Sequence, residues 1–386
     1  ARALSCSALC GRPTMNSGSS AALLLAIIAA SAETMLAADT LLAEQFCQYY
    51  YTLDGDCPAL RSAVRPEVRG SGTPTLELGN KDTQPAMVFL HGWPDTSAVW
   101  ANQFAEFCGD SGGYFCVAPS WIGFHPDFPP AKESELLWSN QVHAFHAVVE
   151  DLGLRNITFV IFDFGALIGY QFLYRFPHLI NKVIALDIGL TVGPASAPFD
   201  GLIDILPAYQ QGNIKAFLAG DDDAMMANLD EHLGSRPPCH DCRIAPSATI
   251  GIGAKTGWPY YNIVRMDEPW SGFFDVPLES WEFTHVPSFP ANVPLLFLYS
   301  STKFHDKSFR DWIDGRGDGV SEHLHMNGTD HWLQVRIPTA TNAKIAEWIG
   351  AAGGAPPPPT STPAAPPPPT STPAVRIPEA AFPGQF

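Results

Sequence analysis

The sequence predicts an α/β fold built on a mostly parallel sheet with helices on both faces. Two observations predict it. Between residues 85 and 190, short apolar runs alternate with longer stretches whose apolar residues recur at helical spacing. The alternation stops near Thr191 and resumes near Val293, so the sheet is expected to continue beyond an insertion.

The elements follow in order. Pro85 to Leu90 is a short apolar run ending at His91-Gly92, the pattern of a buried strand. Ser97 to Cys108 reads as a helix with Trp100, Phe104 and Phe107 on one face, and Tyr114 to Ala118 as the next strand. Ser134 to Leu154 reads as a long helix that Ser134 can cap. A strand over Ile157 to Phe162, a helix over Leu167 to Phe176 and a strand over Lys182 to Ile188 complete the first half. Thr191 to Phe289 is rich in Pro, Gly, Trp and Tyr with patchy helical pattern, and reads as an inserted lid. Val293 to Ser300 is a further strand, with helices near Asp306 to Ile313 and over Thr339 to Ile349.

The expected organisation is a signal or targeting segment over 1–32, an N-terminal region over 33–84, core over 85–190, lid over 191–289, core over 290–350 and a tail over 351–386. In the tail, Ala355 to Ala364 repeats as Ala365 to Ala374, a proline-rich, extended spacer without a core. Ala21 to Ala32 is an apolar run of signal-peptide length ending Ala30-Ser31-Ala32, with Met15 a candidate initiator. It suggests a secreted or endomembrane-lumenal protein, with an organelle leader as the alternative. No stable membrane span is expected in the mature chain. In an oxidising compartment, Cys47/Cys57, Cys108/Cys116 and Cys239/Cys242 are candidate disulfide pairs. Asn156-Ile157-Thr158 and Asn327-Gly328-Thr329 are then glycosylation sequons.

With 46% hydrophobic residues the chain can bury a sizeable core. Its 39 acidic residues against 22 basic ones, net −17, argue against nucleic acid or an anionic membrane surface as partner. Cys239-His240-Asp241-Cys242 has no second matching pair, so no metal is expected.

The chemistry concentrates in three segments. Val160-Ile161-Phe162-Asp163-Phe164-Gly165-Ala166 runs an apolar strand into an acid, a sharp turn and a helix. That is the context of a nucleophile elbow, with a carboxylate in the nucleophile's place. A carboxylate at an apolar turn is costly unless it is used, and covalent catalysis is one use. His91-Gly92-Trp93-Pro94-Asp95 lies upstream and Thr329-Asp330-His331-Trp332-Leu333 downstream. Gly-x-Ser-x-Gly occurs nowhere, which counts against a serine esterase.

These motifs resemble the epoxide hydrolase and haloalkane dehalogenase branch of the α/β-hydrolase superfamily, over roughly Pro85 to Gly350. The resemblance implies that Asp163 attacks carbon to form an ester, and that His331 activates water to hydrolyse it. Backbone N–H groups of Trp93 and Phe164 would hold the oxyanion. A lid tyrosine, Tyr260 or Tyr261 of Trp258-Pro259-Tyr260-Tyr261, would donate to the opening epoxide. The acid orienting His331 is Asp306, beyond the strand Val293 to Ser300, or Asp187, at the end of the strand Lys182 to Ile188; Asp306 is the first candidate. No cofactor is implied, and the expected substrate is small and apolar.

Blander roles stay open. Asp163 could cap a helix, His331 could pack beside Trp332, and the tyrosines could fill the lid. His91 reads as structural. The chain also departs from the branch. Ile161 stands two before Asp163, where the branch has a small residue, which raises the expectation of a remodelled elbow. Phe164 lacks the ring N–H with which the usual Trp binds a departing halide, and Trp93 stands where dehalogenases often carry Asn. Both changes favour epoxide opening over dehalogenation. A non-catalytic hydrolase-fold binding protein is the third reading.

Overall fold

The computed structural model describes residues 60, 62–93, 95–125, 138–190, 208–229, 289–300, 305 and 307–352. Its centre is an eight-stranded sheet: β1 (Arg65–Arg69), β2 (Thr73–Leu78), β3 (Ala86–Leu90), β4 (Phe115–Pro119), β5 (Ile157–Phe162), β6 (Ile180–Leu186), β7 (Leu295–Tyr299) and β8 (Glu322–His325). The spatial order is β1-β2-β4-β3-β5-β6-β7-β8. β2 pairs antiparallel with β1 and β4, and every other pairing is parallel.

The described helices are α1 (Ala101–Phe107), α2 (Gly109–Gly112), α3 (Trp138–Leu152), α4 (Phe164–Arg175), α5 (Ala208–Ala219), α6 (Asp222–Leu229), α7 (Lys307–Asp314), α8 (Leu333–Arg336) and α9 (Pro338–Ala352). A 3-10 turn over Ser97–Trp100 leads into α1, with Thr96 capping it through Ala98 N–H.

Strand β5 shows how the layers arise. All of its residues are buried, and successive side chains enter opposite cores. Ile157, Phe159 and Ile161 join Phe145 and Val149 of α3 and Phe172 of α4. Val160 and Phe162 join Phe104 of α1 and Trp348 of α9 on the other face. A continuous apolar run is therefore what this position demands, and it made the strand visible in the sequence.

Several expectations shift. The sheet starts at Arg65, so the region over 33–84 contributes two strands and the core does not begin at residue 85. β8 is a polar edge strand that the apolar pattern did not reveal. Helix α4 begins at Phe164, directly after Asp163, three residues before the expected start. The expected helix from Ser97 is a 3-10 turn followed by α1. Within the expected lid the described part is α5 and α6, while 191–207 and 230–288 lie outside the described residues.

Cys108 and Cys116 form a disulfide across the turn from α1 to β4. Cys47, Cys57, Cys239 and Cys242 lie outside the described residues, as do residues 1–32 and the tail from 353. Among the described residues no helix is long and apolar enough to cross a membrane.

Candidate active site

Strand order reverses between β3 and β5. The chain leaves β3 for β4 on one side and later returns to place β5 on the other. Such a switch point opens a crevice at the carboxyl ends of the strands, where ligands bind in α/β sheets. Trp93 follows β3, Asp163 follows β5, Asp187 follows β6 and His331 follows β8. The parallel sheet thus delivers four distant segments to one edge.

Asp163 occupies a strained turn, with φ 52° and ψ −131°. A non-glycine residue at positive φ costs on the order of 1–3 kcal/mol and persists only where its surroundings hold it. Here they do. Gly165 lets the turn close onto the carbonyls of Leu90 and His91, which any Cβ would meet. Gly92 leaves room for the Asp163 side chain itself. Ile161 does not prevent the turn, because its Cγ2 would lie 2.6 Å from a Cβ at position 169, and residue 169 is Gly. The expected remodelling is answered on the helix: the bulk added on the strand is matched by bulk missing from α4.

The carboxylate is gripped at both oxygens. Trp93 N–H donates to Oδ1 at 2.8 Å, and His331 Nε2 lies 3.1 Å from Oδ2. His331 Nδ1 lies 2.7 Å from Asp187 Oδ2. The ring packs against Phe162 and Trp332, with centroids 4.6 and 5.2 Å away. Burial disfavours charge on this imidazole. The hydrogen bonds and charges of Asp163 and Asp187 outweigh that and push it up to about 10. Both acids thus favour the protonated form of the ring.

Among the described residues Asp187 is the acid at His331 Nδ1; Asp306, the first candidate from sequence, lies outside them. Asp187 has φ 65° and is fully buried. Its Oδ1 accepts from Ser300 N–H at 2.7 Å, and Ser300 Oγ lies 3.1 Å from both of its oxygens. Ser300 directly follows the neighbouring strand β7, so the sheet edge supplies the donors that a buried carboxylate requires. Sequence reasoning did not find this role, since nothing distinguishes Ser300 until β6 and β7 are paired.

Phe164 heads α4, so its N–H follows Asp163 directly in the chain. Its ring meets Trp138 edge-on, with centroids 6.2 Å apart. His91 is structural. It is fully buried, burial pushes its imidazole down to about 4, and Nδ1 lies 2.9 Å from Gly92 O. Its carbonyl accepts from Trp121 Nε1 at 2.7 Å. Tyr260 and Tyr261 lie outside the described residues. Among the described residues no cluster of His, Cys, Asp or Glu could hold a metal ion.

Comparison with known proteins agrees with this architecture. A family profile described as the alpha/beta hydrolase fold matches residues 85–230. The chain aligns with a solved epoxide hydrolase from Vigna radiata at TM-score 0.55 and 20% identity, over 75% of this chain and 99% of that one. The chain has the α/β-hydrolase fold. A haloalkane dehalogenase variant from Bradyrhizobium elkanii superposes at TM-score 0.51 and 18% identity, over 75% of this chain and 96% of that one. Among curated sequences, Epoxide hydrolase 1 of Caenorhabditis elegans is 29% identical over 107 residues, 28% of this chain and 26% of the relative. A haloalkane dehalogenase of Agrobacterium fabrum is 30% identical over 178 residues, 46% of this chain and 51% of the relative. The chain thus spans about a quarter to a half of the length of these two relatives.

Proposed function

We propose that this hydrolase-fold protein opens a small apolar epoxide to a diol through a covalent ester on Asp163. The observation that carries the reading is the grip on both oxygens of Asp163: a backbone N–H on Oδ1, and on Oδ2 a histidine that Asp187 orients. A capping Asp or a packed histidine needs neither contact.

The chemistry follows from the atoms. An ionised carboxylate attacks carbon without a base. Oδ2 bonds to an epoxide carbon, the ring C–O bond breaks, and the alkoxide takes a proton from Tyr260 or Tyr261. Oδ1, held by Trp93, becomes the ester carbonyl oxygen. Esterification removes the negative charge of Asp163, one of the two carboxylates that keep His331 protonated. The imidazole then releases its proton to solvent more readily and becomes the base for water. Water adds to the ester carbon and its proton passes to Nε2. The oxyanion sits at the N–H groups of Trp93 and Phe164. Its collapse breaks the ester C–O bond, the leaving alkoxide takes the proton of the added hydroxyl to give diol and carboxylate, and the tyrosinate regains a proton from solvent. The mechanism calls for no cofactor or metal.

The Agrobacterium fabrum match supports a second reading, carbon–halogen hydrolysis by the same carboxylate. Phe164 counts against it, since its ring cannot donate to a departing halide. Incubating the protein with terminal epoxides and with haloalkanes decides between them. Diol formation without halide release supports the proposal, and halide release without diol supports the alternative. If neither product forms and no covalent adduct appears, the protein is a binding member of the fold. The Cys108–Cys116 disulfide supports the secreted or lumenal placement expected from residues 21–32. Fractionation of cells expressing the tagged chain tests that placement.

A further inference from the structure

We infer that Asp95 and Trp332 form a positioning bridge that sets the distance between the oxyanion loop and the catalytic histidine. Trp332 Nε1 donates to Asp95 Oδ2 at 2.8 Å. Both residues are buried, at 5% and 8% exposure. The inference rests on the covalent reading of Asp163 and adds to it two residues which that reading leaves without a role.

The placement is specific. Asp95 lies two residues after Trp93, whose N–H holds Asp163 Oδ1. Trp332 directly follows His331, which faces Asp163 Oδ2. The two loops that grip the nucleophile from opposite sides are therefore joined by one charge-assisted hydrogen bond between segments 237 residues apart. The histidine side is braced further. Trp332 N–H donates to Asp330 Oδ1 at 3.1 Å, and Arg336 Nε lies 3.1 Å from Asp330 Oδ2. Strand β8 is a short edge strand, so the sheet alone holds the segment after it less firmly than the strand ends at Asp163 and Asp187. A tie to the loop after the central strand β3 compensates for that.

The two chemical steps depend on the bridge unequally. Attack by Asp163 needs the carboxylate, which its own turn holds. Ester hydrolysis needs a water placed between His331 Nε2 and a carbonyl carbon whose oxygen sits at Trp93 N–H. That geometry spans both loops, and misplacement by about 1 Å can cost on the order of a hundredfold.

The experiment is pre-steady-state alkylation and ester hydrolysis with a chromogenic epoxide, in the full chain. The variants are Trp332→Phe, Asp95→Ala and Asp95→Asn, with Trp332→Phe also made in the Asp95→Asn background so that no carboxylate is left buried beside a missing donor. Thermal melts confirm folding. Trp332→Phe and Asp95→Ala should slow ester hydrolysis about tenfold or more, the loss expected for one hydrogen bond to a charged group, while alkylation falls less. Asp95→Asn, whose amide oxygen still accepts the indole N–H, should recover most of the hydrolysis rate. Equal losses in both steps, or an Asp95→Asn variant as slow as Asp95→Ala, would overturn the bridge. If a single variant does not fold, the double variant is compared with Asp95→Asn alone: slower hydrolysis in the double variant supports the bridge, and equal hydrolysis overturns it. A wild-type chain that forms no ester on Asp163 fails the covalent reading instead, so the two failures are distinguishable.

Discussion

Asp163 and Asp187 are the same residue type in nearly the same setting. Each follows a buried central strand, β5 or β6, and each is held at positive φ, 52° and 65°. Their surroundings differ. The Asp187 side chain is wholly buried and takes donors from Ser300 N–H, Ser300 Oγ and His331. The Asp163 side chain keeps 14% of its surface exposed and takes one backbone N–H and the same histidine. A carboxylate saturated with fixed donors is stabilised as an anion and attacks nothing. One with fewer donors and an open side stays reactive. The difference between an orienting acid and a nucleophile is written in the donors around it, not in the residue.

That contrast yields ranked tests. Asp163→Asn should abolish diol formation, a loss on the order of 10⁴-fold or more, while circular dichroism stays native, because an amide does not attack carbon. Asp187→Asn should come next. The amide can donate to Nδ1 and so stabilises the wrong tautomer and no longer supports the imidazolium; turnover should fall by about a hundredfold or more, chiefly in ester hydrolysis. Ser300→Ala should be milder. It removes one hydroxyl donor and leaves the backbone N–H in place, so a several-fold loss, about 1 kcal/mol, is expected in the hydrolysis rate. If Ser300→Ala proves as damaging as Asp187→Asn, the donors matter beyond holding the acid.

A pH titration of stability sharpens the same comparison. The two carboxylates raise the His331 imidazole from its ordinary 6.5 to about 10 in the folded state. A raised value gives stabilisation that is fully present below about 6.5 and is lost as pH rises through about 10. The melting-temperature advantage of wild type over His331→Gln should therefore shrink between pH 6.5 and 10. An advantage that grows with pH would mean that the ring is neutral at rest.

Much of this was legible in the sequence, for definite reasons. β3, β5, β6 and β7 lie in the middle of the sheet and are almost wholly buried, so their mainly apolar runs stood out. Asp163 stood out because an acid directly after such a strand is costly. β1, reading Arg-Pro-Glu-Val-Arg, and β8, reading Glu-His-Leu-His, are edge strands whose outward residues can be polar, so they left no apolar run. Asp187 could not be separated from Asp306, because both follow a strand and only the paired sheet brings Asp187 to Nδ1 of His331. Ile161 read as a defect because its partner, Gly169, is eight residues away on a helix whose register the sequence leaves open.

The central claim is that Asp163 and His331 act in sequence, the first becoming esterified and the second needed only for release. The most direct measurement is intact-protein mass spectrometry of His331→Gln after incubation with excess epoxide, followed by peptide mapping. One adduct of epoxide mass should accumulate and map to Asp163, with no further turnover, because the attacking carboxylate is ionised without help while water is not. Turnover at the wild-type rate, or an adduct that maps elsewhere, would contradict the mechanism.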